Sequence, residues 1–243
     1  MDRTSPPGRH IPAGQPVVAW GIGDFCWVYF GGILAGLVLA SIGYGISGDR
    51  PAHPGAITDG LAFLGQFGGW ILGLVLVSRR KGMGTLRADF GLVVHRRELW
   101  VIGVGVALEV GLAVLNYPIS HLVHQSQDVV KDLDQARGVH LALIAVVAGL
   151  IAPVCEELLF RGLLLRALRR RFSPEVAVGV SALVFALAHP MLSPTWGTFA
   201  VVPALFGLGV VSAFVAVRRG DLSVSFLLHI GFNLLTTLSA LHK

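Results

Sequence analysis

The chain has 243 residues, of which 54% are hydrophobic and only 14% are charged, and its mean hydropathy is +0.72. This balance excludes an ordinary water-soluble domain, because a water-facing surface needs more polar residues. The net charge of +5 does not indicate a nucleic-acid partner, because Lys and Arg lie between the apolar segments and not along one face. We therefore predict an integral membrane protein whose surroundings are the lipid bilayer.

Hydropathy predicts an all-α, polytopic transmembrane helical bundle of about seven spans. A spanning helix needs about 20 apolar residues. The segments that meet this requirement are 17–46, 57–77, 99–117, 140–168, 175–191, 198–217 and 222–241. Residues 1–16 are predicted to be a polar N-terminal tail, and residues 17–243 a single transmembrane domain. The first span is too long for a signal-peptide core, so we expect it to remain as an anchor.

Basic residues predict how the bundle is oriented in the membrane. They cluster after the second, fourth and sixth predicted spans, at Arg79, Arg80, Lys81, Arg87, Arg96, Arg97, Arg169, Arg170, Arg171, Arg218 and Arg219. Loops rich in Lys and Arg stay on the cytoplasmic side of a membrane. This pattern predicts a cytoplasmic N-terminus and a C-terminus on the opposite side.

The first chemical motif is the pair of carboxylates at Glu156 and Glu157, followed by Arg161 in the fourth span. The sixteen residues before the motif, 140–155, contain no Asp, Glu, Lys or Arg. Charges at such depth in lipid are costly and usually functional, so a solvated helix face is a poor alternative. Glu157 and Arg161 are four residues apart and should pair on one helix face. Glu156 is turned by about 100° from Glu157 and is predicted to project into a cavity for chemistry.

Two later spans carry further polar pairs at the same four-residue spacing. One is Phe185 with His189, and the other is His229 with Asn233. Taken alone, His229 with Asn233 is more typical of a hydrogen bond between membrane helices, and a single His near a helix end, as at His189, is usually interfacial or structural. Together with the carboxylates they supply the groups that hydrolysis uses, on three different helices. We therefore predict a site between the last four helices.

These three motifs, in this order, resemble the CAAX-protease and bacteriocin-processing family of intramembrane endopeptidases, also called the Abi family. The resemblance covers residues 139–241, which would form the protease core. It implies that Glu156 is the catalytic carboxylate. The side chains that it implies for the water-binding site are His189, His229 and Asn233. It also implies supporting roles for Glu157 and Arg161 and a lining role for Phe185.

The resemblance further implies a membrane-borne peptide or protein as the substrate. Eukaryotic members of the family cleave prenylated C-terminal CAAX peptides, whereas bacterial members are associated with bacteriocin maturation and self-immunity. We expect a multi-pass protein of the bacterial inner membrane. The sequence makes no prediction about its oligomeric state.

Two versions of the chemistry remain open from the residues themselves. Glu156 can act as a general base on a water held by His189, His229 and Asn233. Alternatively, these four residues can share a Zn²⁺ ion that activates the water. The HExxH motif is absent and Asn is an uncommon zinc ligand, which favours the version without a cofactor.

Two other classes of function compete with the protease. Asp24, Asp59 and Glu109 lie in or near the first three spans, and intramembrane carboxylates also mark ion or proton pathways in transporters. No inverted repeat is visible, which weakens the transporter hypothesis. The other class is a catalytically silent peptide-binding or immunity protein of the same fold, and the presence of every motif residue argues against it.

Overall fold

The computed structural model describes residues 18–50, 53–123, 133, 135–192 and 194–241. These residues form helices and no β-strand. Seven of the helical segments are long and apolar enough to cross a membrane. This confirms the prediction of an all-α bundle of seven spans. The polar tail predicted for residues 1–16 lies outside the described residues.

We number the described helices in chain order. They are α1 Ile22–Ser47, α2 Ala56–Lys81, α3 Leu86–Phe90, α4 Val101–Val123, α5 Gly138–Arg169, α6 Pro174–Leu192, α7 Trp196–Ala200, α8 Val202–Arg219 and α9 Ser223–Leu241. A 3₁₀ turn at Arg96–Glu98 precedes α4. Helices suit lipid because they satisfy their own backbone hydrogen bonds.

Helix α5 is the central element of the fold. It contains two π-helical stretches, Val147–Ile151 and Glu157–Leu165, and every residue of the second stretch is buried. The helix packs against α1, α2, α6, α8 and α9. A helical stretch that is buried on all sides, as this second stretch is, can place polar groups away from lipid. The carboxylate motif therefore lies in the interior of the protein.

Glycines allow two pairs of helices to approach each other closely. A Cβ atom on Gly69 of α2 would lie 2.9 Å from the Cα atom of Gly32 in α1, and one on Gly231 of α9 would lie 3.0 Å from the Cα atom of Gly105 in α4. Small residues of this kind are typical of contacts between membrane helices. The contact between α4 and α9 fixes the part of α9 that carries His229.

The basic loops meet at one end of the bundle. Arg166 donates to the backbone carbonyl oxygens of Asp89, at 3.2 Å, and of Gly220, at 2.8 Å. Arg219 forms an ion pair with Glu98 in the 3₁₀ turn. The loops that follow the second, fourth and sixth spans are thus joined by direct contacts.

The predicted sixth span, 198–217, is wrong at its beginning. The chain forms the short helix α7, breaks at Val201, and starts α8 at Val202. Pro203 lies in the first turn of α8, where its missing N–H group costs nothing; further inside a helix it would remove a hydrogen bond. The membrane-spanning helix is therefore Val202–Arg219.

Candidate active site

Glu157 is the most strongly fixed carboxylate in the site. Its side chain and that of Arg161 are both fully buried, and Arg161 Nη1 lies 3.3 Å from Glu157 Oε1. His229 Nδ1 lies 2.9 Å from the same oxygen, and the hydroxyl of Ser225 donates to the other oxygen. The spacing of Glu157 and Arg161 predicted their contact, and the structure adds two partners from α9.

Phe185 contacts the buried arginine and both histidines. The guanidinium carbon of Arg161 lies 4.2 Å from the centre of the Phe185 ring, a distance at which a cation is attracted to the face of the ring. The same ring meets His189 edge-on at 5.1 Å and His229 at 5.5 Å between ring centres. The aromatic ring therefore sets the position of both imidazoles.

Glu156 projects in a different direction from Glu157. Its Oε2 atom lies 3.6 Å from His229 Nε2. Because an ionised carboxylate only accepts hydrogen bonds, the Nδ1 atom of His229 donates to Glu157, and Nε2 is left facing Glu156. One imidazole thus stands between a carboxylate that is fixed by several donors and one that faces the cavity.

His189 is oriented by its own helix. Its Nδ1 atom lies 3.0 Å from the backbone carbonyl oxygen of Phe185. A carbonyl oxygen can only accept, so Nδ1 carries the proton and Nε2 is the ring nitrogen that remains for other partners.

Asn233 is held by a backbone carbonyl of α5. Its Nδ2 atom donates to the carbonyl oxygen of Ala148 at 2.8 Å. This oxygen lacks its helical partners, because the N–H group of Ala152 bonds to Val147 in the π-helical stretch and Pro153 has no N–H group. The helix distortion at Pro153 therefore gives Asn233 its anchor.

A cavity of about 400 Å³ contains the chemistry-bearing side chains. Its described lining residues come from α4, α5, α6, α9 and the beginning of α8, together with Leu133 and Val201 outside these helices. They are Glu109, Ala113, Asn116, Leu133, Ala148, Ala152, Glu156, His189, Val201, Ala204, Leu205, His229, Phe232, Asn233, Thr236 and Thr237. The cavity contains Glu156, His189, His229 and Asn233, while Glu157, Arg161 and Phe185 lie behind it. Helix α4 contributes a wall in addition to the last four spans.

The three remaining acidic residues of the early spans fall in different places. Asp24 pairs with Lys81 at 2.6 Å, and Asp59 contacts His140 at 2.8 Å; both lie at helix ends outside the cavity. Glu109 lines the cavity. This distribution does not form the continuous row of carboxylates that the transporter hypothesis would use.

The sequence did not predict four polar residues of the site, Ser225, Asn116, Thr236 and Thr237, and it did not place Glu109 in the cavity. Ser225 lies four residues before His229 on α9, so helical spacing was a usable signal. Nothing in the sequence indicates which face of α4 meets the cavity.

A zinc site requires at least three donor side chains that converge on one ion. Among the described residues, no group of three or more His, Cys, Asp or Glu side chains is placed to hold a metal ion. Glu157 contacts Nδ1 of His229 and Ala148 accepts from the amide nitrogen of Asn233. These contacts leave Nε2 of His229 and Oδ1 of Asn233, the atoms that zinc would use, without a protein hydrogen bond in the described part of the chain.

Residues 138–235 match the model of a family described as Type II CAAX prenyl endopeptidase Rce1-like. The matched segment covers less than half of the chain, runs from the start of α5 into α9, and contains all three motifs. The resemblance of these motifs to the CAAX-protease family is thereby confirmed. No curated protein and no solved structure matched the chain.

Proposed function

With residues 138–235 assigned to the CAAX-protease family, we propose that this multi-pass membrane protein is an intramembrane endopeptidase. It hydrolyses a peptide bond of a membrane-associated peptide or protein. The observation that carries the proposal is the position of His229 between two carboxylates with different surroundings. Glu157 orients the imidazole, and Glu156 is available for proton transfer in the cavity.

Glu156 is the general base. The 3.6 Å between its Oε2 atom and His229 Nε2 is too long for a direct hydrogen bond, so both atoms remain able to accept from a water molecule in the cavity. The water oxygen attacks the carbonyl carbon of the scissile peptide bond while Glu156 takes the proton. When the carbon–nitrogen bond breaks, the same proton passes to the leaving nitrogen.

Asn233 and His189 stabilise the oxyanion. Asn233 uses one N–H for Ala148, which leaves its second N–H for the substrate. His189 donates from Nδ1 to its own helix, so its Nε2 atom, when protonated, faces the developing negative charge. Donors that are fixed before reaction act strongly in a site of low dielectric constant.

The variant Glu156→Gln tests this assignment. Gln keeps the size of the side chain but cannot take a proton, and a general base contributes about 10²- to 10⁴-fold to rate. A substrate can first be found by comparing membrane peptides from cells with and without the protein. Its cleavage by the purified Glu156→Gln variant should then fall by at least about 100-fold. Glu175→Gln, at an exposed position of α6, is the matched control.

Normal cleavage by Glu156→Gln would contradict the role of Glu156 and leave Glu157 as the next choice. A protein that leaves every peptide intact and instead changes an ion gradient would favour transport.

We propose that hydrolysis does not require a metal ion. Purified protein should keep its activity after treatment with a strong chelator. Activity that disappears with the chelator and returns with Zn²⁺ would contradict this proposal.

We also propose a bacterial inner-membrane location with the N-terminus in the cytoplasm, which the joined basic loops support. A reporter fused after Arg171 should be cytoplasmic, and one inserted within residues 128–137 should be external. The opposite pair of signals would reverse the orientation.

A further inference from the structure

Helix α4 presents two polar side chains to the cavity, Glu109 and Asn116. They are seven residues apart, about 10 Å along the helix axis. The hydroxyl of Thr236 donates to Glu109 Oε1 at 2.6 Å. The amide nitrogen of Asn116 donates to the carbonyl oxygen of Ala200 at 2.8 Å. Both side chains are therefore anchored at one end.

One oxygen of each side chain has no hydrogen-bond donor. Glu109 Oε2 and Asn116 Oδ1 are buried and find no hydrogen-bond partner among the described residues. Asn116 as a whole is only 7% exposed. Buried acceptors without donors are rare and costly in native proteins, so each requires an explanation. Here both oxygens belong to residues that line the proposed active site.

Besides the carboxylates Glu109 and Glu156, the described lining of the cavity includes His189 and His229 but no Lys or Arg. The Thr236 hydroxyl and one N–H of the Asn116 amide already donate to protein oxygens. Most of the neighbouring wall is apolar, with Ala113 and Leu205 as examples. A ligand that fits this wall must bring hydrogen-bond donors and favours a positive charge.

We propose that Glu109 and Asn116 form a subsite that recognises a basic residue of the peptide substrate. The ammonium or guanidinium group of that residue donates to Glu109 Oε2, and a neighbouring N–H group of the peptide donates to Asn116 Oδ1. A charged donor is preferred because charge-assisted hydrogen bonds are about twice as strong as neutral ones. The inference rests on the proposed function in one respect: it takes the occupant of the cavity to be the peptide that is cleaved.

Peptide binding tests the subsite without requiring hydrolysis. The probes are short fluorescent peptides of Ala and Leu. Each contains one Lys, whose position differs from one peptide to the next. In the matched peptides, norleucine or acetyl-lysine replaces this Lys. Their affinity is measured on the full-length Glu156→Gln protein in lipid nanodiscs. At one position, Lys should bind at least about tenfold more tightly than either neutral counterpart, as expected for a charge-assisted hydrogen bond out of water.

The preference should depend on Glu109. In the double variant Glu156→Gln and Glu109→Gln, the oxygen that accepts from Thr236 is kept, but the charge is lost. The ratio of Lys to norleucine affinity should fall to about one. The control is Glu156→Gln with Glu175→Gln, which removes an exposed carboxylate outside the cavity and should keep the preference.

The absence of any preference for Lys in the parent protein would overturn the proposal, and so would a preference that survives Glu109→Gln. If Glu109→Gln does not fold, Glu109→Asp keeps the charge with a shorter side chain and should reduce the preference without removing it; an undiminished preference would overturn the proposal. Failure of the proposed function would give a different result. In that case the protein that retains Glu156 would leave all of the peptides uncut, whatever their affinities.

Discussion

Replacing Arg161 by Met should strongly destabilise the protein. Arg161 and Glu157 are fully buried with 3.3 Å between their charged groups. Removing one partner of a buried ion pair leaves an uncompensated charge and typically costs 3–5 kcal/mol, as an order of magnitude. The contact of the guanidinium with Phe185 at 4.2 Å is also lost, which is worth about 2 kcal/mol when water is excluded. His229 and Ser225 still donate to Glu157 and reduce the loss, so we expect about 3–5 kcal/mol overall.

A second replacement should recover part of this loss. Glu157→Gln combined with Arg161→Met removes both charges, and Gln keeps an oxygen that can accept from His229. Neutral residues that replace a whole buried pair are often tolerated. The double variant should therefore be more stable than Arg161→Met alone, although its activity should remain low because His229 loses its negatively charged partner.

The assay is reversible unfolding in mixed micelles, with folded yield and thermal stability as supporting measurements. The control is Lys81→Met, which breaks the exposed pair with Asp24, whose atoms are 2.6 Å apart. Exposed pairs contribute about 0–1 kcal/mol. The reasoning fails if Arg161→Met lowers the free energy of unfolding by no more than Lys81→Met does. It also fails if the effects of Glu157→Gln and Arg161→Met on this free energy simply add, because the pair would then be solvated.

Three further predictions follow from the packing and the helix ends. Gly231→Ala forces α9 away from α4 and should cost about 1–3 kcal/mol as well as activity, whereas Gly103→Ala, with open space around it, should be neutral in the same unfolding assay. Pro153→Ala supplies an N–H group that competes with Asn233 for the carbonyl oxygen of Ala148 and should lower the cleavage rate more than stability. The Thr58 hydroxyl, first among several donors, holds the pKa of Asp49 below its usual value, so this carboxylate stabilises the fold above its unfolded pKa and loses that effect as the pH falls through the folded value. Asp49→Asn should accordingly lower the melting temperature at neutral pH and leave it unchanged in strong acid.

Hydropathy and helical spacing predicted the parts of the structure that depend on neighbours in sequence. The seven spans follow from the length of the apolar segments, and the contact of Glu157 with Arg161 follows from their four-residue separation. The family resemblance also came from short local motifs. These local patterns are reliable because a membrane helix satisfies its backbone hydrogen bonds within its own segment.

The parts that were missed depend on contacts between distant segments. The hydrogen bond from His229 to Glu157 joins residues 72 positions apart, and no local pattern predicts it. The π-helical stretches of α5 were also not predicted, because the motif was read with regular α-helical spacing, which assumes that no turn is widened. The break at Val201 was missed because hydropathy does not register the proline that follows.

The widened turns of α5 restrict how the length of this chain can vary. Deleting one residue between Glu157 and Leu165 while the turn stays widened would rotate one side of the helix against the other by about 100°. The guanidinium and the carboxylates would then face different neighbours, although their order in the sequence would be unchanged. The connection at residues 170–173, between α5 and α6, has no such constraint. Natural insertions and deletions are therefore expected in the connections, and alignments that place a gap inside the motif would join residues that are not equivalent in space.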